Sequence, residues 1–228
     1  MIATSKLDED WMKLVDKLIR EGILKSSKVI RAFKKVPRYL FLPEKLKPHA
    51  AVDTPLPIGH GQTVSAPHMV AIMDEALELE VGHKVLEVGS GSGWHATTIA
   101  EIVAPSDIPK EEWGHVYTIE IVPYLVEMAR ENIKRAGYAD RITVIHGDGS
   151  CGYIEEAPYD RIIVTAAAPD IPKPLIEQLR VGGVLLIPVG SISFFQTLIR
   201  LRKENGKKIE DLGGVAFVPL VGKYGFKI

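Results

Sequence analysis

The stretch Val85-Leu86-Glu87-Val88-Gly89-Ser90-Gly91-Ser92-Gly93 decides the fold. The apolar run from Lys84 to Val88 reads as a short buried strand. It runs straight into three alternating glycines, and helical spacing resumes from His95 to Val103. Glycines at such a junction permit a tight turn and let the backbone approach a ligand closely. Working forward, the pattern repeats. Val116 to Ile119 is a second strand, Pro123 opens a helix that runs to Ala136 and stops at Gly137, and Ile142 to Ile145 is a third strand. Arg161 to Val164, a short helix from Pro174 to Leu179, and Val184 to Ile187 complete the series. Strands alternating with helices predict an α/β fold built on a doubly wound, mainly parallel sheet.

Both flanks differ from this centre. Residues 7 to 46 read as helical: Trp11, Leu14, Val15, Leu18 and Ile19 recur at helical spacing, Ser26 and Ser27 can cap a second helix, and Pro37 ends it. Residues 47 to 66 carry Pro48, Pro55, Pro57, Gly59 and Gly61 among apolar positions, which predicts an ordered loop or short hairpin, and a connection this long is often functional. Helical spacing returns with Met69, Val70, Met73, Ala76 and Leu77. After Gly190, Gln196 to Arg202 alternates, Glu204-Asn205-Gly206-Lys207 is a turn sequence, and strand-like Val215 to Leu220 follows. The expected organisation is one domain over 1–228. Residues 1–66 form a helical front and loop, 67–190 the ligand-binding core, and 191–228 antiparallel strands at the sheet edge.

The ligand can be narrowed by charge. The dinucleotide fingerprint G-x-G-x-x-G fails by one place, because Trp94 occupies its last position. The pattern present is E-x-G-x-G-x-G, with Glu87 inside the turn. An acid there repels a pyrophosphate and attracts a cation. Glu120 ends the second strand, where an acid accepts hydrogen bonds from ribose hydroxyls, and Asp148 follows the third in Gly147-Asp148-Gly149. The insertion 104–114 accounts for the long spacing from the loop to Glu120. S-adenosyl-L-methionine carries an ammonium, a sulfonium, a ribose and an adenine, and suits these acids better than a nicotinamide dinucleotide does.

Composition excludes other classes. The chain has 228 residues with 28 basic and 29 acidic side chains, so the surplus of positive charge typical of phosphate neutralisation is missing. One cysteine, Cys151, precludes an internal disulfide and a cysteine-rich zinc site. No apolar run approaches the roughly 18 residues of a membrane span. A cytoplasmic monomer without metal, membrane or nucleic-acid partner is expected.

E-x-G-x-G-x-G after a strand resembles motif I of class I methyltransferases. Val36-Pro37-Arg38, Asp53-Thr54-Pro55-Leu56-Pro57-Ile58-Gly59 and Gly61-Gln62-Thr63-Val64-Ser65-Ala66-Pro67-His68-Met69 narrow the resemblance to one family. So do Ala157-Pro158-Tyr159-Asp160-Arg161-Ile162, Thr165-Ala166-Ala167-Ala168-Pro169 and Val218-Pro219-Leu220-Val221. Together they resemble protein-L-isoaspartate O-methyltransferases, from about Trp11 to the C-terminus. Where that family usually has Tyr two residues before the Asp of Asp53-Thr54-Pro55, this chain has Ala51.

The resemblance implies methyl transfer from S-adenosyl-L-methionine to the free α-carboxylate of L-isoaspartyl residues in damaged peptides and proteins. S-adenosyl-L-homocysteine is the product, and the ester collapses to a succinimide that hydrolyses partly to aspartate. It assigns Ser65 to the active site. It places Gln62, Thr63, Val64, Ser65, His68, Glu87, Gly89, Ser90, Gly91, Gly93, Glu120, Ile121, Asp148, Gly149 and Thr165 at the cofactor, with Glu120 on the ribose and Asp148 on the adenine amino group. Asp53, Ser65, Ala66 and Val221 fall to the substrate.

The residues themselves leave two readings of Ser65. It positions the acceptor carboxylate, or, with Ala66 and Pro67, it caps the next helix. Asp53 orders its loop or serves as a turn residue. A carboxylate ordinarily titrates at about pH 4 and is ionised at neutral pH, so no strong base is required, and no Ser/His/Asp triad is evident. A methyltransferase acting on a small molecule or RNA is the rival reading. It is weakened by Thr165-Ala166-Ala167-Ala168-Pro169, which lacks the Asn/Asp-Pro-Pro-aromatic motif of many N-methyltransferases.

Overall fold

The computed structural model describes residues 5–192 and 195–227. The front consists of α1 (Lys6–Arg20) and α2 (Ser27–Lys35), then two 3-10 turns, Arg38–Phe41 and Glu44–His49. Ser5 and Asp8 form a capping box at the start of α1, and Ser26 accepts from Val29 N at the start of α2. Pro37 ends α2 as its position requires. Loop 47–66 contains a hairpin of β1 (Leu56–Gly59) and β2 (Gln62–Val64), followed by α3 (Pro67–Leu77).

The core then alternates: β3 (Lys84–Val88), α4 (Trp94–Val103), β4 (His115–Glu120), α5 (Pro123–Arg135), β5 (Ile142–His146), β6 (Tyr159–Val164), α6 (Lys173–Gln178), β7 (Leu179–Gly190), β8 (Gln196–Lys203) and β9 (Lys207–Val215). Seven strands form one sheet in the order β5-β4-β3-β6-β7-β8-β9. The pairs among β3 to β7 are parallel, and β7–β8 and β8–β9 are antiparallel. The direction of strand order reverses between β3 and β6, the switch point outside which open α/β sheets bind ligands.

Period-two alternation along β3 divides the core. Val85 joins the cluster covered by α1 to α5, and Leu86 and Val88 join the cluster beneath α6 and the C-terminal segment. Glu87 therefore points toward the five-helix face. The front helices share that face. Trp11 and Phe33 stack at 6.2 Å, and Trp94 meets both edge-on at 5.8 Å. Trp94 Nε1 donates to Val36 O at 2.9 Å, so the residue that breaks the dinucleotide fingerprint bolts the front onto the glycine loop.

Two expectations change. The last strand occupies Lys207–Val215, not 215–220. After Val215 the chain leaves the sheet and runs beside Ala167, whose N–H donates to Val218 O at 2.8 Å and whose carbonyl accepts from Leu220 N at 2.7 Å. Pro219 has no N–H for a ladder, and the apolar residues find burial at the carboxyl edge, whereas the charged Lys207–Leu212 run suits an exposed edge strand. The end of the expected helical front, up to residue 46, falls in the 3-10 turns Arg38–Phe41 and Glu44–His49 instead of a regular helix. The insertion 104–114 precedes β4, at the sheet edge opposite the carboxyl ends. It is pinned there by Trp113 Nε1 on Pro105 O at 2.9 Å and by Arg141 stacked over the Trp113 ring. No helix among the described residues is long and apolar enough to cross a membrane.

Candidate active site

A cleft of about 380 Å³ opens at the switch point. Its floor is Val88, Gly89, Gly91 and Thr165, one wall is Ile119 to Pro123, and Gln62 and Thr63 reach over it from the hairpin. Val218 to Val221 form the far side. A smaller compartment of about 30 Å³ shares Thr63, Gly89, Gly91 and Thr165 with the cleft and adds Val64, Ser65, Ser90, Ser92 and His95. Of the expected residues, Gln62, Thr63, Val64, Ser65, Gly89, Ser90, Gly91, Glu120, Ile121, Gly149, Thr165 and Val221 line one space or the other.

The remaining expected residues stand behind the walls. Gly93 is the residue before α4. Glu87 is fully buried. Ala66 is buried as the N-cap of α3, with no side-chain cap bond, which removes the capping reading of Ser65. Asp53 does that work from outside the helix: its Oδ1 accepts from His68 N at 2.9 Å and meets His68 Nδ1 at the same distance. A carboxylate there also complements the positive end of α3. Replacing Asp53 by Ala is expected to cost about 1 kcal/mol of stability, read by denaturant unfolding, because an orphan N–H of the first turn loses its acceptor.

Asp148 serves the chain itself. Its Oδ1 accepts from Ser150 N at 2.9 Å and Ser150 Oγ at 2.6 Å, and its Oδ2 from Lys223 N at 2.7 Å. These bonds hold the Asp148 carboxyl below its ordinary pKa against the opposing effect of burial. The carboxylate thus anchors the segment that forms the far wall, and its neighbour Gly149 lines the cleft. Glu120 is 6% exposed and accepts from Gly91 N at 2.9 Å and Val122 N at 3.0 Å, one bond per oxygen. Each oxygen keeps a further acceptor site. Thr165 Oγ1 donates toward Val88 O and Gly89 O at 3.1 and 2.8 Å, tying the end of β6 to the glycine loop.

Two groups escaped the sequence reading of the site. Arg38 is fully buried and spends its guanidinium on five carbonyls, those of His49, Ala50, Val52, Thr54 and Ser65. Burial lowers its pKa to about 10, so it remains a cation at neutral pH. It gathers the whole loop before the hairpin and holds the backbone of Ser65. The motif Val36-Pro37-Arg38 contained it, but burial of an arginine is not visible in one dimension. The second group is Asp74 with His95. Asp74 lies four residues after Val70 and three before Leu77, so an acid on the apolar face of α3 was the available signal.

The family model for protein-L-isoaspartate(D-aspartate) O-methyltransferase matches residues 9–225. A protein-L-isoaspartate O-methyltransferase of Hyperthermus butylicus is 59% identical over 96% of this chain and 94% of its own length. One from Thermococcus sibiricus is 59% identical over 98% of both chains. Among solved structures, a Plasmodium falciparum protein of this kind, in complex with S-adenosyl-L-homocysteine, superposes with a TM-score of 0.81. It is 31% identical over 92% of this chain and 98% of that one. Motifs, sheet order and the cleft at the switch point agree with this match along nearly the full length, and the chain belongs to the protein-L-isoaspartate O-methyltransferase family.

Proposed function

We propose that the chain repairs damaged proteins by methylating the free α-carboxylate of L-isoaspartyl residues, with S-adenosyl-L-methionine as donor and S-adenosyl-L-homocysteine as product. The observation that carries this is the family match over residues 9–225. The cleft fits the donor. Ile121, Val122 and Leu220 offer apolar walls for a purine, and Glu120 offers open acceptor sites for a diol. In the small compartment Ser92 Oγ is buried without a hydrogen-bond partner, a donor awaiting a polar ligand group. Bound there, S-adenosyl-L-methionine supplies a methyl group activated by a sulfonium.

The chain's own task is placement. The acceptor is an ionised carboxylate, so no side chain has to remove a proton in the transfer. Ser65 Oγ has no protein partner among the described residues and borders the compartment, so it is free to donate one hydrogen bond to the acceptor carboxylate. Arg38 fixes its backbone and Asp53 fixes the helix start that follows. Asp53, Ala66 and Val221 are read as the border along which the peptide lies. The hairpin residues Gln62 and Thr63 line the cleft beside the compartment and restrict the pose of the bound donor. The ester then closes to a succinimide that hydrolyses partly to aspartate. We read the chain as a cytoplasmic monomer, and its balanced charge, with 28 basic and 29 acidic residues, favours peptide substrates over nucleic acid.

Labelled methyl from S-adenosyl-L-methionine is expected in an isoaspartyl peptide and absent from its aspartyl isomer. Equal labelling of the two, or none, rejects the specificity. Ser65→Ala is expected to lower kcat by about tenfold to a hundredfold, the value of one hydrogen bond to a charged group, while binding of S-adenosyl-L-homocysteine stays within about twofold. An unchanged kcat would remove Ser65 from the reaction.

A further inference from the structure

Beneath the glycine loop lies a line of buried polar groups that methyl transfer to a carboxylate does not itself require. Asp74 Oδ1, on α3, lies 2.9 Å from His95 Nε2, in the first turn of α4. The other ring nitrogen, Nδ1, lies 4.0 Å from Glu87 Oε1. Glu87 Oε2 accepts from the Thr118 hydroxyl, and Thr118 Oγ1 meets Ser90 Oγ at 2.6 Å. Glu87, Asp74 and His95 are 0%, 1% and 7% exposed. Asp74 Oδ2 and Glu87 Oε1 have no hydrogen-bond partner. Buried carboxylate oxygens without partners are costly, and an apolar residue at the centre of β3 would avoid that cost. The cluster is not remote from the site: His95 and Ser90 are at once members of it and walls of the small compartment.

We propose that Asp74 and His95 are positioning residues that keep Glu87 ionised behind the small compartment, as the counter-charge for a primary ammonium group, the amino-acid end of the methyl donor. This role rests on reading the cleft as the donor site. Burial pushes the Glu87 carboxyl up to about 7, and the His95 cation is the main force holding it down, followed by the Thr118 hydroxyl. Asp74 and Glu120, the other charges facing Glu87, act in the opposite direction. Burial works against a charged His95, yet Asp74 and Glu87 on either side of the ring hold its pKa above the ordinary value. Asp74 itself is raised by burial, with His95 and Thr98 opposing and Glu75 adding to the rise. Asp74 therefore holds the proton on His95, and His95 holds the negative charge on Glu87. In a water-poor site, such a charge attracts a ligand cation more strongly than it would in bulk solvent.

The test is calorimetric binding, between pH 6 and 8, of S-adenosyl-L-homocysteine and of 5′-methylthioadenosine, which has the same nucleoside but no amino-acid end. For the native chain the Kd of S-adenosyl-L-homocysteine is expected to fall about tenfold across this range, as a carboxyl titrating near 7 ionises, while the nucleoside Kd stays flat. His95→Asn is expected to move the S-adenosyl-L-homocysteine curve to higher pH and leave nucleoside binding in place, a readout that a merely structural histidine would not shift. Glu87→Gln is expected to weaken S-adenosyl-L-homocysteine binding and flatten its curve. If His95→Asn fails to fold, the near-isosteric Glu87→Gln decides: persistence of the native pH dependence overturns the proposal. So does one shared curve for the two ligands, or a His95→Asn curve that does not move. Failure of the native chain to bind either ligand instead overturns the reading of the cleft.

Discussion

Replacing Arg38 by Met is expected to lower stability by about 3–5 kcal/mol and to reduce kcat for an isoaspartyl peptide at least tenfold in whatever fraction remains folded. Methionine keeps much of the side-chain volume against Trp94, over which the guanidinium sits at 5.7 Å, but removes every donor. Five carbonyls, from His49 to Ser65, then lose a donor; His49 O and Val52 O keep Val52 N and Thr54 N, but among the described residues Ala50 O, Thr54 O and Ser65 O have no other. Each buried acceptor left open costs about 1–3 kcal/mol, and relaxation of the loop recovers part of the sum. The kinetic loss has a separate origin: one of the five carbonyls belongs to Ser65, so the loop that relaxes carries the hydroxyl proposed to position the acceptor. Arg38→Lys should recover only part of either loss, because an ammonium with three donors cannot span a fork built for five. Denaturant unfolding and steady-state kinetics read the two effects. A variant with native midpoint and native kcat would show that the loop is held by other contacts.

Gly89→Ala is expected to abolish measurable binding of S-adenosyl-L-homocysteine, at a stability cost of about 2–6 kcal/mol. Gly89 has a φ of +102°, where L side chains are strained, and an added Cβ would sit 2.3 Å from Thr165 Oγ1. That hydroxyl ties β6 to the loop, so the collision displaces the cleft floor as well as the loop. Gly91→Ala is the control. Its φ is +52°, within the left-handed helical region, and its Cβ would meet only Ile58 Cδ1 at 3.3 Å, the flexible end of a hairpin side chain. A cost of about 1–2 kcal/mol and weakened but measurable binding are expected there. Equal binding losses in the two variants, measured by calorimetry beside unfolding curves, would show that the glycines are needed for approach to the ligand and not for the packing of the loop on Thr165.

Local chemistry made most of the fold legible. β3 and α3 to α5 begin and end where their prolines, glycines and apolar periods place them, because those signals act over a few residues. Val215 to Leu220 misled for the same reason: a run of apolar residues has strand chemistry wherever it lies, and only Ala167 and the carboxyl edge beside it decide that the run leaves the sheet. Ser65 is the corresponding case in the site. Ser-Ala-Pro is good helix-start chemistry, yet Asp53, twelve residues earlier in the chain, takes the N–H and leaves the hydroxyl free.

Sequence alone carried the alternating core, the glycine loop with its acids, the family and the serine that borders the small compartment. Each of these is a short-range pattern or an ordered set of motifs. The tertiary structure alone decided which side chains face a ligand and which hold up those that do. Asp148 anchors the C-terminal segment, Arg38 disappears into the loop it organises, and Asp74 reaches Glu87 through His95. Such roles depend on which distant groups share a water-poor space, since burial both removes the competing hydrogen bonds of water and magnifies each remaining charge.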